Sequence, residues 1–279
     1  MIRNSIGGTA RNIAENLARL EVDTILITVV GDDSIGERIL GHAAASGINV
    51  NDSRILDGSR TGTYMALLTE KGALEFALYD MDVLQSITPT YLRQRVGLFE
   101  QARMVVIDAN LSPESIQTVT TLCAQHDVPL CADPTSTTLA EKIKPHLASF
   151  FMISPNVAET RVLCGCDFDA SDRVAAGDAA YTMMANSNVG IACVTLSEFG
   201  VVYASQETRG HVPAVKTSIV DETGAGDAQT AAIIFGLLEG IPLDECVRLG
   251  VTAATLTLRT RETVRSDLTV EMLYDALII

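Results

Sequence analysis

The stretch Val220-Asp221-Glu222-Thr223-Gly224-Ala225-Gly226-Asp227-Ala228 combines two glycines with two aspartates. After it, apolar residues recur at Ala228, Ala231, Ala232, Phe235 and Leu238, which is helical spacing. Gly240 and Pro242 mark the stop. A glycine-bearing turn therefore opens a long helix. The N–H groups of a first helical turn have no internal partner, and the helix dipole adds partial positive charge there. Such a turn suits an anion, and Gly224 and Gly226 would let phosphate oxygens approach the backbone closely. Asp227 is a poor phosphate ligand because the charges repel. It makes sense as the base for a hydroxyl about to attack a phosphoryl group, since a carboxylate of reference pKa ~3.9 is ionised at neutral pH. Other readings exist. An aspartate in a first turn can simply complement the dipole. A dinucleotide fingerprint would need Gly or Ala where Gln229 stands, and the Gly-x-x-x-x-Gly-Lys-Ser/Thr pattern of a P-loop is absent.

The elements that must hold this turn read as α/β. Strands are predicted over Thr24–Val30, Met104–Asp108, Pro129–Asp133, Phe150–Ser154 and Ile191–Leu196. Helices are predicted over Ser34–Ser46, Ser112–His126 and Ala175–Ala185, with Gly47 as a left-handed cap after the first of them. Alternation of this kind implies βαβ units and a mainly parallel sheet covered on both faces. Thr63–Leu68 and Leu74–Tyr79 break the rhythm and read as a hairpin joined by Thr69-Glu70-Lys71-Gly72-Ala73. A hairpin placed between α/β units can cover a site, pair with a second subunit, or be an ordinary sheet edge.

The 279 residues are 47% hydrophobic, enough for one large core. A net charge of −15 argues against a nucleic-acid or anionic-membrane partner. Cys123, Cys131, Cys164, Cys166, Cys193 and Cys246 fit no zinc spacing and read as thiols in a reducing cytosol. No apolar run approaches the ~20 residues of a membrane span and no signal peptide is visible, so a cytoplasmic protein is expected.

Asp221-Glu222-Thr223-Gly224-Ala225-Gly226-Asp227 resembles the C-terminal signature of the ribokinase-like (PfkB-type) carbohydrate kinases, departing at Glu222, where Thr is common. Other landmarks follow in order: Gly7-Gly8-Thr9-Ala10-Arg11-Asn12-Ile13-Ala14, Val30-Gly31-Asp32-Asp33-Ser34-Ile35-Gly36, Ser154-Pro155-Asn156-Val157-Ala158-Glu159, and Val194-Thr195-Leu196-Ser197-Glu198-Phe199-Gly200. The resemblance runs from residue 7 nearly to the end. It implies one kinase domain over 1–279, a three-layer αβα sandwich with a mainly parallel sheet and a small β lid at about 61–80. It also implies an ATP- and Mg2+-dependent phosphotransferase. Asp227 would be the base, with Gly224, Ala225 and Gly226 lending amides to an anion hole. Asn156 and Glu159 would organise Mg2+ through water; Thr195, Gly200 and Thr223 would lie on the nucleotide side. Asp221 and Thr223 match positions that hold a monovalent cation such as K+, and Gly8 and Asn12 would contact the sugar. By its own chemistry Asn12 could equally be a polar residue on an exposed helix face.

Within the family, Leu78-Tyr79-Asp80-Met81-Asp82-Val83-Leu84 followed by Ile87-Thr88-Pro89 resembles the pseudouridine kinases, as do Thr61-Gly62-Thr63-Tyr64 and Ala132-Asp133-Pro134. The resemblance implies phosphorylation of the nucleoside's primary hydroxyl and a homodimer paired through the lid. Ribose, another ribonucleoside or another sugar are the alternative acceptors. A nucleotide- or sugar-binding protein without turnover is the alternative of another class, and a dinucleotide-dependent oxidoreductase is disfavoured by Gln229. Family members usually carry a strand with a sugar-binding Asp before the Gly-Gly motif, whereas Met1–Ile6 alone precede Gly7 here. The expectation is two exposed interior sheet edges and weakened acceptor binding.

Overall fold

The computed structural model describes residues 4–68 and 74–277. In chain order the elements are α1 (Thr9–Arg19), β1 (Val29–Gly31), α2 (Ser34–Ala45), β2 (Arg54–Leu56), β3 (Thr63–Leu68), β4 (Leu74–Asp80), α3 (Pro89–Arg93), α4 (Val96–Gln101), β5 (Val105–Asp108), α5 (Pro113–Gln125), β6 (Leu130–Asp133), α6 (Thr137–Ile143), β7 (Met152–Ile153), α7 (Val157–Cys164), α8 (Arg173–Ser187), β8 (Ile191–Thr195), β9 (Val201–Ser205), β10 (Arg209–Val212), α9 (Ala225–Leu238), α10 (Leu243–Leu258) and α11 (Val270–Asp275).

The central sheet runs β10-β9-β8-β7-β6-β5. Strands β5 to β8 are parallel and linked by helical crossovers, while β9 and β10 turn back antiparallel. Strand alternation splits the buried side chains between two cores. Ala132, Ile153, Ala192 and Val194 pack with Ile116, Ile143 and Met183 on one face. Cys131, Met152 and Cys193 pack with Ile13, Ala231, Ile233 and Cys246 on the other. Burial on both faces is why these strands read as continuous apolar runs. The thiols of Cys123, Cys193 and Cys246 are pushed up to about 12 by burial, so these cysteines act as apolar packing groups.

The expected strand Thr24–Val30 is a correction. A regular ladder forms only at Val29–Gly31, with β2, and Ile25 makes a single bridge to Asn49. Between them the Thr28 N–H donates to Ser53 Oγ, so a side chain interrupts the ladder. Phe150–Ser154 contracts to Met152–Ile153, and the expected helices hold within two residues at each end. Gly47 has φ of 91° after α2, as its capping role requires. The hairpin forms as β3 and β4, a sheet separate from the others; its proposed turn, 69–73, lies outside the described residues.

Strand β5 is the last of the sheet, and its second edge faces residues 24–30 across a cleft of about 2040 Å³. Its residues are accordingly less buried than those of β6. The cleft exceeds the ~300–1,000 Å³ of an ordinary ligand pocket because it continues from the strand ends along this edge. Asn12, Asp108 and Asp227 line its polar end.

Candidate active site

Side chains close the N-termini of seven helices among the described residues: Asp33 on α2, Thr88 on α3, Ser112 on α5, Ser136 on α6, Asn156 on α7, Asp172 on α8 and Thr269 on α11. Helix α9, like α1, α4 and α10, has no such cap. It starts at Gly224, and the Ala225 N–H makes only a long 3.4 Å contact to the Glu222 carbonyl, so this turn can offer donors to an anion. Asp221 Oδ1 accepts from Thr223 N at 2.9 Å and shapes the approach. Gly224 is constrained by the fold as well. Its φ is 83°, and a Cβ would fall 1.8 Å from the Thr263 carbonyl oxygen, so the fold itself demands glycine there. Gly226 has nothing within 4 Å of a would-be Cβ, so no protein contact accounts for glycine there.

Helix α1 packs against α9 with its polar face inward. Arg11, Asn12, Glu15 and Asn16 are all buried. Asn12 Nδ2 donates to Asp227 Oδ2 at 2.6 Å, which rules out the exposed-face reading of Asn12. Gly8, the N-cap of α1, lines the same cleft. Asp108, at the end of β5, accepts from Ala10 N at 3.2 Å and closes the first turn of α1.

Asp227 is therefore recessed among acids. Its carboxyl is raised to about 6, with burial as the largest cause and Asp108 adding to it, against the Asn12 hydrogen bond and the Arg11 charge, which pull it down. The expected ordinary carboxylate is replaced by one poised just below neutrality, still mostly ionised at pH 7. Asp133, at the end of β6 in register with Asp108, is raised well above the usual range by burial and then by Asp227 and Glu159. Neither Asp108 nor Asp133 could be assigned to the site from local pattern, because strand register is what brings them to it.

Asn156, Glu159 and Thr195 sit at and just beyond the ends of β7 and β8, outside the cleft, whereas Thr223 lines the cleft just before α9 and Gly200 precedes β9. Asn156 and Thr195 bridge across these strand ends. Thr195 Oγ1 accepts from Gln229 Nε2 at 2.7 Å, tying β8 to the first turns of α9. Asn156 and Glu159 form a capping box on α7: Asn156 N donates to Glu159 Oε2, and Glu159 N donates to Asn156 Oδ1, both at 2.9 Å. Burial raises the Glu159 carboxyl. Its other oxygen and the Asn156 amide nitrogen make no bond to protein among the described residues, so both can still order water around a cation. Gly200 has φ of 95°, and a Cβ there would meet the Val212 carbonyl at 2.1 Å. Its glycine is accounted for by the close passage of the chain beside β10.

The hairpin stands over the cleft mouth. Tyr64, Ala77 and Tyr79 line the cleft. Met65, Leu67, Phe76 and Leu78 lie on the other face and are all more than half exposed. The base of the hairpin is pinned by Asp33, which accepts from Thr61 N at 2.8 Å and Thr61 Oγ1 at 2.6 Å. These bonds, and one from Gly36 N, hold the Asp33 carboxyl down at about 2.

The chain resembles known proteins along most of its length. The model of the pfkB family carbohydrate kinases matches residues 1–269. Pseudouridine kinase of Escherichia coli is 30% identical over 271 residues, spanning 96% of this chain and 85% of that protein. Guanosine-inosine kinase of Exiguobacterium acetylicum is 28% identical, spanning 92% and 85%. A carbohydrate kinase from Agrobacterium tumefaciens superposes with a TM-score of 0.82 at 26% identity, spanning 97% of this chain and 85% of that one.

Proposed function

The chain belongs to the pfkB family of carbohydrate kinases, and we propose that it transfers the γ-phosphoryl group of ATP to the primary hydroxyl of pseudouridine. It is a kinase with a hydroxyl group as acceptor, acting on a sugar or nucleoside. The observation that carries the mechanism is the 2.6 Å bond from Asn12 to Asp227 beside the uncapped start of α9. One carboxylate thereby faces both an alcohol in the cleft and a phosphate on the amides.

In this reading Gly8 and Asn12 orient the acceptor, and Asp227 accepts its hydroxyl proton as transfer proceeds. The amides of Gly224, Ala225 and Gly226 hold the transferring phosphoryl oxygens. Thr195, Gly200 and Thr223 line the nucleotide side. Asn156 and Glu159 would hold Mg2+ through its water shell, and Asp221 with Thr223 would hold a monovalent cation such as K+. The metal, when bound, neutralises charge on the phosphates. Tyr64 and Tyr79 close over the acceptor and exclude water, which limits wasteful ATP hydrolysis. The opposite hairpin face, apolar and exposed, pairs with a second copy to give a homodimer. The whole chain acts as one kinase domain. Free thiols suit a cytoplasmic setting, and no helix among the described residues is long and apolar enough to cross a membrane.

Pseudouridine is favoured by the 30% identical relative of that name and by the Tyr79-Asp80-Met81-Asp82 run at the cleft mouth. A ribonucleoside or ribose is the second reading, favoured by the 28% identical guanosine-inosine kinase. A panel of nucleosides and sugars assayed for ADP release separates them. Pseudouridine should give the highest kcat/KM. Equal values on ribose and pseudouridine would end the specific assignment.

A further inference from the structure

We infer that Arg11 is the positioning residue that locks the base to the phosphate-binding turn, by holding Asn12 and Thr263 with one buried guanidinium. The inference rests on the kinase reading above and adds to it a residue outside the acceptor, nucleotide and metal contacts.

The side chain of Arg11 is 5% exposed, and its donors fan out in several directions. Nε donates to the Gly7 carbonyl at 3.0 Å, and Nη2 donates to the Ile6 carbonyl at 2.9 Å. Nη1 donates to Glu15. Nη2 also reaches Asn12 Oδ1 and, at 3.4 Å, Thr263 Oγ1. Two of these contacts lead to the reacting groups. Asn12 is an amide with one donor end and one acceptor end, and the ends differ little in size. If its oxygen faced Asp227, the two would repel. Occupation of Oδ1 by Arg11 leaves only Nδ2 for the carboxylate, so Arg11 decides which end of Asn12 the base meets. Thr263 is the residue whose carbonyl lies against Gly224, and its hydroxyl donates to Ile6 at 2.7 Å. The same guanidinium thus braces the floor of the turn that opens α9.

Glu15 anchors the arrangement from behind. It is 1% exposed and accepts from Arg11, from Arg19 Nη2 at 2.7 Å and from Ser46 Oγ at 3.3 Å, with His42 Nε2 at 3.1 Å. Burial pushes Glu15 up, but Arg19, Arg11 and His42 bring it below its usual value, so it remains a firm partner. A buried pair of this kind adds little stability over well-packed apolar side chains of equal volume. What it supplies is a fixed orientation: a planar fork meets several acceptors at once, which a lysine cannot reproduce.

The test uses the full chain, Arg11→Met and Arg11→Lys, with kcat, acceptor and ATP KM, and kcat/KM from pH 5 to 9. Thermal unfolding is followed in parallel. Asp227 is faced by Asp108 from β5, Asp133 from β6, and Arg11 and Asn12 from α1. Loss of the Arg11 charge and of a fixed Asn12 should move the acidic limb of kcat/KM above its wild-type position near 6. Arg11→Met should also lower kcat on the order of 10²-fold with ATP KM within about twofold, as expected for a misplaced base. Arg11→Lys should return the acidic limb to the wild-type position but recover only part of kcat. The inference is overturned if Arg11→Met lowers activity only in step with lost folded protein and leaves the acidic limb in place, or if Arg11→Lys restores kcat fully. Should Arg11→Met fail to fold, Arg11→Lys decides alone: reduced kcat with unchanged ATP KM supports the clamp, and wild-type kcat removes it. A wild-type chain without acceptor-dependent ADP release would instead overturn the kinase reading, and this inference with it.

Discussion

Replacing Asp227 by Asn should cripple the enzyme and stabilise the fold, and the two effects should separate with pH. The substitution keeps the shape and an oxygen to accept from Asn12 Nδ2, but removes a charge that burial disfavours. In the folded protein this carboxyl titrates near 6 against an unfolded reference of 3.8. A raised folded value means the group contributes stability below pH 3.8 and loses that contribution as pH rises through 6. Above pH 7 the ionised carboxylate therefore weighs against the fold by at most about 3 kcal/mol, from ~1.36 kcal/mol per pKa unit. For a chain of this length that corresponds to a rise in Tm of about 5 °C. Thermal unfolding of both proteins at pH 4 and pH 8 measures it. The gain should be present at pH 8 and nearly gone at pH 4. In the same samples kcat should fall at least ~10²-fold with ATP KM little changed, the usual size of a general-base effect. An equal Tm difference at both pH values, or a variant less stable at pH 8, would show that the carboxylate is not held against its ionisation and would remove the physical basis for its tuning.

The two glycines of the turn should fail differently. Gly224→Ala drives a Cβ into the Thr263 carbonyl and should lower Tm and soluble yield, while Gly226→Ala meets nothing in the protein. Gly226→Ala should leave Tm within a few degrees of wild type yet raise ATP KM about tenfold or more; unchanged kinetics would mean the phosphate does not approach there. Leu78→Glu on the outer hairpin face should convert a dimer to a monomer in sedimentation, and a wild-type monomer at micromolar concentration would contradict that pairing. Asp33→Ala releases the Thr61 backbone and hydroxyl at the hairpin base. It should raise acceptor KM more than ATP KM, and equal effects on both would count against a lid role.

The turn and the helix it opens were legible because their signal is local. Glycines, a carboxylate and the onset of helical periodicity all fall within a few residues, and Gly224 to Leu238 folds as read. The parallel sheet was legible for the same reason, since β5, β6 and β8 are short apolar runs bounded by helices. What escaped notice depends on distant partners. Arg11, Glu15 and Arg19 look like an ordinary i,i+4 charge ladder on a solvated helix face, and only the packing of α1 on α9 reveals that this face is inside. Asp108 and Asp133 become neighbours through strand register. Gly224 carries a further constraint that no local pattern shows, because Thr263, far along the chain, lies against it. Thr24–Val30 has strand composition, yet Ser53 takes the bond that a ladder needed.

Everything in the functional account depends on a phosphate gripped at the start of α9 while Asp227 draws a proton from an alcohol in the cleft. The most direct measurement is a single-turnover reaction of ATP labelled in its γ-phosphate with excess enzyme and pseudouridine, quenched over time and resolved by product. The label should appear on the 5′ oxygen of the nucleoside in wild type, and at least ~10²-fold more slowly in Asp227→Asn. Label released as inorganic phosphate alone, or transferred equally fast by both proteins, would contradict the account.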